Sequence, residues 1–172
     1  MHNLFDSWRN LTPNYDAKFS EIFNNLAKKA GGVESGEKRS IQGKSFETNY
    51  ELYIYAFFLG LYSGEKLPIP ETSKKINFGY QIHKWGSKIS SKRISFTDIQ
   101  KYIFSALIAE SDIDFIALDK GEITSDQAIH ILNISMEEFT NYGLTLINDK
   151  LNENQLSFTN TTSFLDFISS IK

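Results

Sequence analysis

Between Tyr53 and Tyr62 the chain reads YIYAFFLGLY, ten residues without a charge. Such a run either crosses a membrane or is enclosed by the protein's own structure. A helical span needs about 20 apolar residues, so this run reaches half the length and must be covered by other parts of the chain. Its surroundings, residues 47–63, are apolar nearly all round, the pattern of an element buried on every side. Length favours a helix, while the tyrosines and Gly60 leave a strand as the alternative. Enclosure needs a sizeable core, and 172 residues supply one: a chain of this length is most simply one domain and buries roughly 70% of its unfolded surface. No metal or disulfide is required, and the absence of cysteine excludes disulfides, thiolate zinc sites and a cysteine nucleophile.

The rest of the chain reads as helices. Residues 14–30 place Phe19, Ile22, Phe23, Leu26 and Ala30 at helical spacing, with Asn14 as cap. Residues 31–46 hold four glycines and no periodicity, which predicts a mobile, basic loop. Residues 73–90 space Ile76, Phe78, Ile82, Trp85 and Ile89 at loosely helical intervals. Thr97 is placed to cap a helix lined by Ile99, Tyr102, Ile103, Ala106 and Leu107. A short helix or turn ends at Gly121, and two helices follow at about 125–132 and 136–151. The tail TTSFLDFISSIK predicts a last amphipathic helix. The sum is an all-α, single-domain, irregular bundle of about six to eight helices, with room for a small strand pair. The N-terminus lacks the basic start and apolar core of a secretory signal, so a cytoplasmic location, away from membranes, is expected.

Charge is spread unevenly. Residues 1–93 carry fourteen Lys and Arg against nine Asp and Glu, and residues 94–172 carry four against twelve. Such asymmetry points to a charged partner or to self-association, although the two halves can also neutralise each other. The basic excess peaks between Thr72 and Thr97, where six Lys and Arg and one His stand with no acid. Lys84, Lys88 and Lys92 recur every four residues, and Phe78, Tyr80 and Trp85 are interleaved. Cations release counterions from phosphates, and aromatic faces stack on bases. Lys74, Lys75, Tyr80, Lys84, Trp85, Lys88, Lys92 and Arg93, with Lys38, Arg39 and Lys44 of the loop, are therefore the candidate surface for nucleic acid or an acidic protein. The competing reading makes Phe78 and Trp85 core and the lysines the wet side of a helix.

Residues 121–147, GEITSDQAIHILNISMEEFTNYGLTLI, resemble a helix-turn-helix segment. Ala128 and Ile129 match the packing positions of the first helix, Asn133 holds the turn, and Ser135 and Glu138 have capping-box spacing at the start of the second. The resemblance implies a reading helix with its N-terminus against base edges. Glu137 and Glu138 stand where phosphates would repel them. The segment 121–151 is accordingly expected to be a helical hairpin used for packing or protein contact.

Signals for a reaction are sparse. Gly43-Lys44-Ser45 ends like a phosphate-binding loop, but Lys38 occupies the required first glycine and no buried strand precedes it. The histidines are His2 at the terminus, His130 within QAIHIL, where a packed or capped role is expected, and His83, which lacks an evident carboxylate neighbour in sequence. Glu110, Asp112, Asp114, Asp119, Glu122 and Asp126 form an acidic cluster able to offer oxygen ligands, yet Ile116 stands at the third ligand position of a calcium loop begun at Asp112. The expected function is therefore a non-enzymatic helical accessory or adaptor protein in a larger bacterial cytoplasmic assembly, without a cofactor. Near the start, Phe5, Trp8 and Tyr15 are aromatics available to dock on a partner. The alternatives are a nucleic-acid-associated protein using 74–93 and 38–44, and a metal-dependent enzyme using the carboxylates of 110–126.

Overall fold

In the computed structural model, which describes residues 3–27, 45–86, 95–160 and 162–171, the apolar run coils because Thr48 and Glu51 start a helix there. The Thr48 hydroxyl accepts from the Glu51 backbone N–H, and the Glu51 carboxylate accepts from the Thr48 N–H at 3.2 Å, so each satisfies a backbone donor left free by the first turn. The helix is the third of seven α-helices among the described residues: α1 (Leu4–Arg9), α2 (Ser20–Leu26), α3 (Asn49–Ser63), α4 (Thr97–Ala109), α5 (Phe115–Asp119), α6 (Ser125–Glu153) and α7 (Ser163–Ser170). Two short strands, β1 (Asn14–Asp16) and β2 (Lys75–Asn77), pair into a small sheet. The protein is mainly helical, as its periodicity predicts. No helix among the described residues is long and apolar enough to cross a membrane.

Two compact units make up the fold, Met1–Asn14 with Ile76–Glu137 and Tyr15–Lys75 with Glu138–Lys172. The chain passes from one to the other three times, so no single cut in the sequence separates them. In the first unit, Trp8 is fully buried, with its ring 5.5 Å from that of Phe104 on α4, and Phe5 meets Phe104 edge-on at 5.4 Å. Ile82, Trp85, Ile103 and Leu107 complete this core. Buried Gln100 on α4 donates from Nε2 to the carbonyls of Ile82 and Trp85, at 2.9 and 3.2 Å, so a polar side chain in the core is used to hold an irregular segment.

In the second unit α3 supplies Leu52, Tyr53, Phe57 and Leu59, and α6 supplies Phe139, Leu144 and Ile147, all buried. The two helices cross without side-chain padding: a Cβ on Gly60 would lie 2.7 Å from the carbonyl carbon of Phe139, and one on Gly143 would lie 2.6 Å from that of Ala56. Phe46, Tyr55, Phe158 and Phe164 dock α7, with Phe158 and Phe164 stacked at 4.5 Å and Phe46 edge-on to Phe164 at 4.7 Å. The Tyr55 hydroxyl donates to the Phe164 carbonyl at 2.7 Å.

Several sequence expectations are corrected. The helix expected from residue 14 starts only at Ser20, because Asn14–Asp16 pair as β1 and Asp16 caps a 3₁₀ turn through its bond from the Lys18 N–H. Phe19, Ile22, Phe23 and Leu26 are nonetheless all buried, and Ala30 lies outside the described residues. Within the expected helix 73–90, the described part is β2 and a 3₁₀ turn at Ile82–Lys84. Asn77 Oδ1 accepts from the Gly79 N–H at 3.0 Å, and Gly79 and Gly86 have φ of 81° and 72°, a left-handed backbone that no α-helix accommodates. Lys84 therefore closes a 3₁₀ turn and does not stand on the face of an α-helix. Tyr102, expected on the inner face of α4, is 72% exposed, because Gln100, Ile103 and Leu107 face inward instead.

The largest correction concerns 121–151. Instead of a hairpin, Ser125–Glu153 is one helix of 29 residues. It starts where Thr124 and Gln127 bond reciprocally, Gln127 Oε1 accepting from the Thr124 N–H at 2.8 Å and Thr124 Oγ1 from the Gln127 N–H at 3.2 Å. The expected turn residue, Asn133, donates along the helix to Glu137 Oε1 at 3.0 Å, a contact between residues four apart that supports the helix it was expected to end. Ser135 is buried inside that helix and caps nothing.

Candidate functional site

Of the candidate basic surface, Lys74, Lys75, Tyr80, Lys84 and Trp85 lie among the described residues. Lys38, Arg39, Lys44, Lys88, Lys92 and Arg93 lie outside the described residues, as do the loop positions 31–44 and His2. Lys74 and Lys75 are exposed in the second unit, and Tyr80 and Lys84 are exposed in the first. Trp85 is 1% exposed, its indole N–H donates to the Tyr80 carbonyl at 3.2 Å, and its ring meets Phe78 edge-on at 5.7 Å. That ring has no free face for a base, so the core reading of Trp85 replaces the stacking one. Trp8, expected to dock on a partner, is likewise core. Phe5 and Tyr15 are half-buried against Phe104 and Phe23.

The acidic half presents a more definite surface. Asp114 caps α5 by accepting from the Ile116 and Ala117 N–H groups, both at 2.9 Å, and Asp126 stands in the first turn of α6, where carboxylates favour the positive dipole end. Asp112, Asp119 and Glu122 are exposed around them. These groups do not converge: among the described residues no three His, Asp or Glu side chains are placed to hold a metal ion. The same stretch of chain also exposes apolar side chains. Ile116 is 69% exposed, and Phe115 beside it and Ile131 and Ile134 on α6 are exposed too. Ile131 and Ile134, three residues apart, share one helix face. His130 is exposed on the same helix, and His83 is half-buried with a partnerless Nδ1.

No known protein family, curated protein or solved structure matches this chain. The reading of function therefore stands on its own geometry.

Two further features were not legible in the sequence. Glu137, placed by the helix-turn-helix resemblance at the tip of a reading helix, is 6% exposed. Its Oε1 accepts from the Asn14 backbone N–H at 2.8 Å, from the Asn14 side-chain amide at 2.9 Å and from Asn133. Three donors converge on one carboxylate oxygen, which removes it from any surface role and ties α6 to Asn14. The second feature is a cavity of about 260 Å³ in the second unit, between α2 and the end of α6, floored by Ile22, Leu26, Leu151 and Phe158. A carboxamide-rich stretch, NDKLNENQ at 148–155, was its only signal.

Proposed function

We propose that this chain is a non-catalytic accessory protein that docks a basic, amphipathic partner segment on the surface formed by α5 and the first turns of α6. The observation that carries this reading is the exposure of Phe115, Ile116, Ile131 and Ile134 among the carboxylates of Asp112, Asp114, Asp119, Glu122 and Asp126. Large apolar groups held in water inside a charged rim are the usual make-up of a protein-contact patch. Carboxylates outnumber Lys120, the exposed cation in this stretch, and the excess selects the partner's charge, since opposite potentials steer encounter and reject acidic competitors. A helix carrying Leu-type residues on one face and Lys or Arg at its flanks matches both features.

The test uses the full chain and a fluorescent amphipathic helix of Leu and Lys, followed by anisotropy. Binding that weakens as salt rises, and that is lost in Ile131→Asp/Ile134→Asp while the melting temperature holds, is the expected result. Equal binding of a Leu and Glu helix, or undiminished binding by the double variant, would overturn the proposal. A gel shift with single-stranded and duplex DNA at low salt tests the nucleic-acid alternative in the same preparation. A shift abolished by Lys74→Glu/Lys75→Glu would favour that alternative.

A further inference from the structure

We infer that the cavity between α2 and the last turns of α6 is a binding site for a small organic ammonium ion, an amine carrying a short hydrocarbon body. The charges of its walls set the sign of the ligand, and their hydrocarbon sets its shape. Glu21 is the single ionisable group among the described residues that line it, and its carboxylate attracts a cation. Asn25, Asn148, Asn152 and Gln155 add carboxamides, which can accept from an ammonium group but also carry donors, so they supply hydrogen bonds and leave the sign of the ligand to the charges. The lining residues 148–152 belong to the closing turns of α6, where the aligned peptide dipoles leave roughly half an elementary negative charge. The Glu21 carboxylate and the helix terminus both favour a cation.

The floor decides the rest of the molecule. Ile22, Leu26 and Phe158 are buried and present hydrocarbon to the cavity, against which aliphatic groups leave water favourably. A metal aquo-ion would waste that surface; an alkylamine uses it. The volume of about 260 Å³ lies just below the usual range for drug-sized ligands. At about 30 Å³ per water-sized group, it accommodates roughly eight non-hydrogen atoms.

The test is a titration of the full chain with n-butylammonium, its neutral analogue n-butanol and its anionic counterpart butyrate, read from side-chain and backbone amide shifts by NMR. n-Butylammonium is expected to move the amides of Asn25, Asn148, Asn152 and Gln155 along one saturable curve. n-Butanol should bind about fivefold more weakly, which corresponds to a partly solvated charge contact of about 1 kcal/mol, and butyrate should leave these amides unmoved. Glu21→Gln should lower the amine affinity about fivefold, to the level of n-butanol, and Asn152→Lys should abolish binding by placing the chain's own ammonium in the cleft. Both positions are exposed, so the variants fold, which melting curves verify. Equal affinity for amine and alcohol, an unchanged Glu21→Gln affinity, or shifts confined to other parts of the chain would each overturn the assignment.

Discussion

Replacing Gly143 by alanine sets two physical effects against each other, and the fold decides the sign. In a helix interior alanine is favoured over glycine by about 1 kcal/mol, so propensity alone predicts a more stable protein. The crossing of α3 and α6 predicts the reverse. The new methyl would lie 2.6 Å from the carbonyl carbon of Ala56 and 3.0 Å from its Cα, whereas carbon atoms rest about 3.5–4.0 Å apart. Its neighbours are backbone atoms, which cannot rotate aside as a side chain would. Relief requires the helices to part by roughly 1 Å, and a gap of that size forfeits about a quarter to a half of each dispersion contact it opens. One of those contacts is the edge-on pair Phe57 and Phe139 at 5.9 Å. Overpacking of this kind costs about 1–3 kcal/mol, and backbone against backbone belongs at or above the upper end. With the propensity gain subtracted, the net loss is about 2 kcal/mol, or a melting temperature lowered by about 4–8 °C for a chain of this size. Thermal unfolding followed by circular dichroism at 222 nm, a wavelength chosen for helix, measures it. Gly60→Ala should behave alike, and the double variant should lose less than the sum, because one separation admits both methyls. A raised melting temperature for Gly143→Ala would refute the reasoning, since propensity would then have outweighed the crossing.

Glu137→Ala strands the three N–H donors that converge on its carboxylate and should lower stability by about 3 kcal/mol, while Glu137→Gln, which keeps an acceptor oxygen and the shape, should lose about 1 kcal/mol; urea unfolding midpoints distinguish them. Burial pushes the Tyr55 phenol above its ordinary value. The unfolded chain then releases that proton at lower pH than the folded one, so this contribution is intact below about pH 10 and declines as pH rises beyond it. Tyr55→Phe should flatten that part of the alkaline stability profile. It should also speed amide exchange in α7, whose Phe164 carbonyl loses its bond from Tyr55.

The helices that were readable in advance are those whose signals are local. The apolar run at 53–62, the stripe Phe19, Ile22, Phe23 and Leu26, and the short element before Gly121 all appear where spacing placed them. Errors arose where a local signal had two outcomes. Ser135 and Glu138 have the spacing of a cap, yet the same residues sit as well inside a helix, and the bond from Asn133 to Glu137 selects the inside. The interleaved aromatics of 74–93 suit either stacking or a core, and the bonds from Gln100 to the carbonyls of Ile82 and Trp85 hold Trp85 in the core, while Tyr80 stays exposed. For the candidate surface, the acidic composition of 110–126 was visible in the sequence. The exposure of Ile116, Ile131 and Ile134 within it was not, because burial depends on what other segments cover.

Composition and periodicity thus determined that this chain coils, that its apolar run is enclosed up to the exposed Tyr62, and that its second half is acidic, since each follows from neighbours within a few turns. Which residues meet was left to tertiary structure. Asn14 and Glu137 are 123 residues apart, Tyr55 and Phe164 are 109 apart, and Gly60 has no reason to be glycine until Phe139 lies against it. Contacts of that range are selected by the cooperative burial of the whole core, and no local window of the chain contains both partners.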